Sequence, residues 1–263
     1  MKLFAIFGDP VAHSRSPLMH NHVFKSLGFD GCYTRIQLKD GSKLRKTIFE
    51  LGLSGVNVTV PHKEAAFDAC DAIRGFAKTI GVVNTIINEK GTLIGYNTDA
   101  DGFVYAITPF GKINSVLVLG AGGTSKALAT RFKDVGMDVT VMNRSAGRLE
   151  DFKKAGFKTE TWDSIMIETY DLIVNTTSAG LEDDSLPAPI GTLELLLERA
   201  SFSADVIYGK ETPFLKLCKE MNITTKDGAD MLLGQGILAN NHFMHAAYDL
   251  HDIEHYMKES FLF

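Results

Sequence analysis

Three short segments of this 263-residue chain hold residues whose types and spacing could do chemistry. In Val116-Leu117-Val118-Leu119-Gly120-Ala121-Gly122-Gly123-Thr124-Ser125, an apolar strand runs into a Gly-rich turn and then a helical pattern. Gly120 permits the tight turn, and Gly122 lacks the Cβ that would hold a pyrophosphate off the backbone. Ala121, Gly123 and Thr124 complete a loop whose free N–H groups, at a helix start, attract an anion. Ser125 takes the third position of G-x-G-x-x-G, small but neither Gly nor Ala. The competing reading is a Gly-rich turn that binds nothing; the strand and helix on its two flanks favour a dinucleotide.

The next strand decides between cofactors. A site for NAD places Asp or Glu about 20 residues on, to accept from the ribose 2′-OH. Here Val139-Thr140-Val141-Met142 ends in Asn143-Arg144-Ser145, without an acid. Arg144 can face a 2′-phosphate, Ser145 can hydrogen-bond it, and Arg148 adds charge. A solvated arginine at a strand end is the plainer alternative. The pattern predicts NADP rather than NAD.

Hydride transfer to a ketone makes an alkoxide, which needs a proton from a positioned acid. Asn57-Val58-Thr59-Val60-Pro61-His62-Lys63 supplies one. Alternation puts Asn57 and Thr59 on one strand face. Pro61 then opens a helix with Lys63 in its first turn, where the helix dipole disfavours a cation and makes the ammonium a readier donor. A solvated lysine is the competing reading. Asp99, in Asn97-Thr98-Asp99-Ala100-Asp101, also precedes a helix; it is either a cap or, if it meets Lys63, the carboxylate that holds the lysine and binds a substrate hydroxyl. In Ser14-Arg15-Ser16, two hydroxyls could grip a small carboxylate, with Ser16 also read as a helix N-cap. His251 and His255 stand four apart, but Asp252 occupies the position where the zinc-protease pattern needs Glu, and no third ligand follows. No metal is expected. His242 and His245 read as partly exposed, Phe243, Met244 and Tyr248 as core.

Short β-branched runs alternate with longer helical patterns, the signature of an α/β fold with a parallel sheet. Strands are expected at Leu3–Phe7, Tyr33–Leu38 and Gly55–Val60. Ser16–Leu27 reads as a helix with Pro17 in first position, Leu44–Leu51 as another, and Pro61 opens a third to about Ala72. Thr85–Asn88 and Leu93–Tyr96 flank Gly91 as a hairpin, and Asp99–Phe110 is helical. A second series starts at Val116–Leu119, with strands at Val139–Met142, Leu172–Asn175 and Ala204–Ile207. Its helices lie at Thr124–Val135, Leu149–Ala155, Leu193–Glu198 and Pro213–Met221. Ala229–Leu250 forms the longest helical pattern.

The length accommodates two domains of ordinary size. The predicted organisation is a substrate-binding domain of residues 1–103 plus 236–263, and a Rossmann-type doubly wound domain of residues 104–235, the C-terminal helix returning to the first. At 45% hydrophobic residues the chain can fill a real core, and a net charge of −5 without a basic run argues against nucleic acid. No apolar stretch approaches the ~20 residues of a membrane span. Three scattered cysteines without a C-x-x-C fit a reducing cytoplasm.

Together these segments resemble the shikimate dehydrogenase family over nearly the whole chain. The likeness includes the run from Phe7-Gly8-Asp9-Pro10 through His20-Asn21, and Gly55 through Lys63. It continues at Gly81-Val82-Val83-Asn84-Thr85, Gly95-Tyr96-Asn97-Thr98-Asp99 and Gly120 through Ser125. Asn143-Arg144-Ser145, Asn175 through Gly180, Asp205-Val206-Ile207-Tyr208 and Gly228 through Gln235 extend it. Each motif is modestly specific; their joint order is highly so.

The resemblance implies NADPH-dependent reduction of 3-dehydroshikimate to shikimate, in aromatic amino-acid biosynthesis. It makes Lys63 the catalytic acid/base and Asp99 its partner. It assigns Ser14, Ser16, Thr59, Asn84, Tyr208 and Gln235 to the substrate. Gly120 to Thr124, Asn143, Arg144, Ser145, Arg148, Ile207 and Gly228 fall to the cofactor. A small-molecule substrate is then the partner, with neither nucleic acid nor membrane, and a monomer or homodimer as the assembly. A paralogue acting on quinate and a non-catalytic NADP-binding regulator are the alternatives. Two positions depart from the family: Tyr208-Gly209-Lys210 stands where Tyr-x-Pro is usual, and Asp230 where glycine is common.

Overall fold

The computed structural model describes residues 1–262. The chain divides into two compact units, Met1–Gly102 with Leu233–Phe263, and Phe103–Leu232.

The first unit contains β1 (Lys2–Gly8), α1 (Ser16–Ser26), β2 (Gly31–Gln37), α2 (Leu44–Glu50), β3 (Gly55–Val58) and α3 (Lys63–Ala69). There follow β4 (Ala72–Ile73), α4 (Ala77–Ile80), β5 (Thr85–Glu89), β6 (Thr92–Tyr96) and the start of α5 (Asp99–Ile107). The sheet order is β2-β1-β3-β5-β6-β4. β1 pairs in parallel with β2 and β3, whereas β5 is antiparallel to both neighbours. The expected hairpin is β5–β6; both residues of its turn have positive φ, Lys90 at 52° and Gly91 at 94°, which matches the twist of a two-residue hairpin loop. Phe7, Leu44, Ile48, Val56, Ile86 and Leu93 fill the core on one side of this sheet.

The second unit runs β7 (Ser115–Leu119), α6 (Gly123–Asp134), β8 (Asp138–Met142), α7 (Glu150–Lys154), β9 (Lys158–Glu160) and β10 (Tyr170–Asn175). It continues with α8 (Ile190–Leu197), β11 (Ala200–Asp205), α9 (Pro213–Glu220), β12 (Thr224–Lys226) and the start of α10 (Gly228–Phe243). The order β12-β11-β10-β7-β8-β9 is parallel throughout. This is a doubly wound Rossmann-type sheet, in which the strand order reverses between β7 and β10 and opens a crevice at their carboxyl ends. Leu117, Leu119, Ile173, Leu193, Leu196 and Phe214 form its core.

Four expectations change. Ser16 is not the N-cap of α1: Arg15 holds that position and Pro17 follows within the first turn. The Ser14 hydroxyl accepts the Ser16 N–H instead, at 3.2 Å. β3 ends at Val58, and Pro61, which follows a cis peptide bond, does not open α3; the helix starts at Lys63 and stops at Ala69. The pattern over Ala229–Leu250 is two helices. α10 ends at Phe243, His245 and Ala246 turn into the left-handed region at φ 54° and 53°, and α11 (Leu250–Glu259) restarts on an Asp249 cap that accepts from the His251 N–H. α11 packs against α1 in the first unit. Finally, β4, β9 and β12 are short strands that no hydrophobic pattern announces.

Candidate active site

In the first unit, β3 and β6 each end one short loop before a helix. Lys63 is the first residue of α3 and Asp99 the first of α5. Their side chains meet, Lys63 Nζ donating to Asp99 Oδ2 at 2.5 Å, with a third of the lysine side chain and about a fifth of the aspartate exposed. The pair is therefore both held and reachable. Asn97 shapes the approach to α5: its Oδ1 accepts the Asp99 N–H at 3.0 Å, and its Nδ2 donates to the Val82 carbonyl at 3.3 Å.

Asn84 stands beside this pair. Its Oδ1 accepts the Thr98 N–H at 2.8 Å and its Nδ2 donates to Thr98 Oγ1 at 3.0 Å. A backbone N–H can only donate, so the orientation of the amide is settled. Ser14 and Ser16 bond each other at 3.2 Å, and the Arg35 guanidinium clamps the Ser14 carbonyl with two donors at 2.9 and 2.6 Å. Thr59 is half-buried just past β3 and donates its N–H to the Phe7 carbonyl at 2.8 Å. Gln235 sits on α10 against Gly102, one turn after Asp99. A methyl group on Gly102 would strike the Gln235 backbone nitrogen, and one on Gly234 would strike the Gly102 carbonyl. The first unit thus joins Lys63 to Asp99 directly, ties Asn84 to Thr98 next to Asp99, joins Ser14 with Ser16, and seats Gln235 by backbone contact. Tyr208, half-exposed, belongs to the second unit.

The Gly-rich turn of the second unit joins β7 to α6. Gly120 has φ 111°, a conformation closed to most side chains, and its N–H donates to the Met142 carbonyl at 2.7 Å. A Cβ on Gly122 or Gly123 would face open space, so the turn presents bare backbone there. The first N–H groups of α6 have no intrahelical acceptor and carry positive partial charge. Ser125 is fully buried, and its departure from glycine has a structural use. Gly122 N–H donates to Ser125 Oγ at 3.1 Å, Ser125 Oγ lies 2.6 Å from Thr176 Oγ1, and Thr176 Oγ1 donates to the Leu119 carbonyl at 2.7 Å. The Thr176 proton is spent on Leu119, so Ser125 donates to Thr176. The relay ties the turn to the loop after β10, across the reversal of strand order.

At the end of β8, Asn143 Nδ2 donates to the Ser145 carbonyl at 3.1 Å and bends the loop. Arg144, Ser145 and Arg148 are exposed, and the Arg144 guanidinium lies over the Trp162 ring, 6.0 Å from its centroid. No carboxylate follows β8 at this end. Ile207 donates its N–H to Asp205 Oδ1 at 3.0 Å and accepts the Gly228 N–H at 2.9 Å. A Cβ on Gly228 would collide with the Val206 carbonyl, which explains glycine there. Asp205 also accepts from Asn175 and Thr212, at 3.0 and 2.7 Å; burial still raises its carboxyl above the usual range. These features, an open bare turn and exposed arginines with no acid in the segment directly after β8, fit a phosphorylated dinucleotide.

The two departures find local partners. Asp230 pairs with Lys226 at 2.8 Å, and Lys210 Nζ donates to the Leu181 carbonyl at 3.0 Å. His255 pairs with Glu259 at 3.5 Å; among the described residues no group of three or more His, Cys, Asp or Glu could hold a metal ion, and no helix is long and apolar enough to cross a membrane. Sequence reasoning missed Tyr33, Arg35, Thr98 and Thr176. Thr98 and Thr176 lie inside two of the segments that carry the resemblance, whereas Tyr33 and Arg35 sit in β2, where Tyr33 is the one buried side chain and no pattern marks it.

Residues 6–86 match the model of the shikimate dehydrogenase substrate binding domain. The chain is 41% identical over 253 residues to a shikimate dehydrogenase (NADP(+)) of Helicobacter hepaticus, covering 95% of this chain and 94% of that protein. It is 42% identical over 247 residues to one of Helicobacter pylori, covering 92% of each. Among solved structures, shikimate 5-dehydrogenase of Thermus thermophilus, in complex with NADP(H) and shikimate, superposes with a TM-score of 0.85 at 33% identity. That alignment covers 99% of this chain and 100% of the other.

Proposed function

The chain belongs to the shikimate dehydrogenase family, and from that premise we propose that it catalyses the reversible NADPH-dependent reduction of 3-dehydroshikimate to shikimate, a step toward chorismate and the aromatic amino acids. The observation that carries the reading is the Lys63–Asp99 contact at 2.5 Å. The Gly120–Thr124 turn would hold NADPH, with Arg144, Ser145 and Arg148 as the residues to receive a 2′-phosphate, and the bound cofactor would supply the hydride to the C3 carbonyl carbon. Asn143, Ile207 and Gly228 complete that site. Lys63 delivers the proton to the carbonyl oxygen, and in the reverse direction takes it back.

Asp99 holds the ammonium in place and accepts from a substrate hydroxyl. Asn84 offers its amide to another hydroxyl, and the Ser14 and Ser16 hydroxyls receive the carboxylate. Thr59, Tyr208 and Gln235 complete the substrate contacts. A regulator that only bound NADP would have no need of a lysine and a carboxylate held in this way.

The test is direct. Purified protein is mixed with shikimate and NADP, and reduced cofactor is followed by absorbance; turnover is expected. Replacing NADP by NAD, and shikimate by quinate, measures the selectivity for each. Absence of turnover with shikimate and NADP at every pH overturns the reading.

A further inference from the structure

Below the substrate positions of the first unit lies a buried polar chain that the reaction as described does not use. It begins at Tyr33 on β2, only 2% exposed. The Tyr33 hydroxyl donates to Asn57 Oδ1 at 2.6 Å. Asn57 Nδ2 then donates to Thr85 Oγ1 at 3.0 Å and to the Asn84 carbonyl at 3.3 Å. Thr85 Oγ1 in turn donates to Asn84 Oδ1 at 2.9 Å.

Each link has one possible direction. The Asn84 carbonyl can only accept, so the Asn57 amide must present its NH2 there and its oxygen to the phenol. Thr85, having accepted from Asn57, gives its proton to Asn84 Oδ1. That oxygen, which already accepts the Thr98 N–H, is held a second time, and the Asn84 NH2, with one hydrogen on Thr98 Oγ1, keeps the other for a substrate hydroxyl. At the other end, the Ser16 side chain is the phenol's second polar neighbour. Burial holds the phenol protonated far above the usual tyrosine range, so it remains a donor.

Tyr33 is itself immobilised. Asn21 on α1 clamps its backbone with two hydrogen bonds of 2.8 Å, and the His20 ring stacks on the phenol at 4.4 Å and 15°. The phenol is thus a fixed post between Ser16 and the Asn57–Thr85–Asn84 chain.

We infer that Tyr33 is a positioning residue for the substrate: through Asn57 and Thr85 its hydroxyl adds a second hold on the Asn84 amide, whose orientation the Thr98 N–H fixes, and it joins this side of the site to Ser16. The inference rests on the function proposed above. Tyr33→Phe keeps the ring and its stacking and removes one oxygen. Because the lost bond is buried, the KM for shikimate should rise roughly tenfold, with the KM for NADP unchanged and kcat altered less than KM. Thr85→Val breaks the same chain one link further on and should give the same split. The double variant should cost little more than either alone, since both cut one chain.

A role confined to folding would lower the melting temperature and the active fraction and leave both KM values alone. That pattern, or fully additive effects in the double variant, overturns the inference. Thr85→Val carries the test if Tyr33→Phe fails to fold. Turnover by the unsubstituted protein with an unchanged shikimate KM in both variants removes this inference alone; absence of turnover in the unsubstituted protein removes the function as well.

Discussion

Lys63 and Asp99, 36 residues apart in sequence, meet at 2.5 Å because each is the first residue of its own helix. The two helix ends exert the same field, which acts on the two side chains in opposite ways. A helix N-terminus favours the Asp99 carboxylate and disfavours the Lys63 ammonium. The carboxylate is thus well suited to its place, and the lysine is kept there by its partner.

Removing the lysine side chain should remove the proton donor and little else. Lys63→Ala is expected to lower kcat by roughly 10²–10⁴-fold, the scale of lost acid–base catalysis, with a smaller change in KM for shikimate. Steady-state kinetics in the direction of shikimate oxidation measure both. A rise in KM with kcat intact would make Lys63 a binding residue only.

Cofactor choice should follow Arg144. Arg144→Ala is expected to raise the KM for NADPH far more than that for NADH, because only the former brings a 2′-phosphate to this end of β8. Equal effects on the two cofactors would remove the phosphate argument and leave Arg144 with its Trp162 stacking alone.

The relay from Gly122 through Ser125 and Thr176 to Leu119 predicts a paired result. Ser125→Ala and Thr176→Val should each cost about 1–2 kcal/mol of stability, the scale of a buried hydrogen bond. Each should also raise the KM for NADPH severalfold while the KM for shikimate stays put. Denaturant unfolding and cofactor titration check the two parts; a loss confined to shikimate affinity would contradict the assignment of this turn.

Stability should fall on mild acidification. Burial lowers the His20 pKa from 6.5 to about 3, so in that window the unfolded chain binds a proton that the folded chain does not. By linkage, stability then rises with pH from about 3 to 6.5 and is fully present above it. One proton corresponds to about 1.4 kcal/mol per pH unit. Urea unfolding at intervals between pH 4 and 7 should show this slope, and His20→Phe should flatten it. An unchanged slope in the variant would place the effect elsewhere.

The second unit was the most readable part of the chain. Its central strands are apolar runs bounded by Gly and polar turns, and Val116 to Ser125 marks both the turn and its neighbours. Strands β9 and β12, Lys158–Glu160 and Thr224–Lys226, are sheet-edge segments with polar side chains. They are defined by pairing with a neighbour, which leaves no periodic trace. The end of α10 was illegible for a related reason: His245 and Ala246 adopt positive φ without a Gly or Pro to announce it. Within the site, Lys63, Asp99 and the serines were legible as residue types next to strand ends. Their support was not, because Tyr33, Thr85 and Thr176 act through bonds to residues distant in sequence, and such bonds become visible only once β2, β3 and β5 share one sheet and β7 and β10 pair in the other.

The contact of Gly102 with Gly234 and Gln235 sets how much wear the site can bear. Most helix pairs are spaced by side chains, and a change of one methylene moves the spacing. Here α5 and α10 rest backbone on backbone, so nothing compressible lies between the turn that carries Asp99 and the one that carries Gln235. A single added carbon at position 102 or 234 must push the two residues apart. Positions 102 and 234 therefore admit no side chain without moving Asp99 and Gln235 apart.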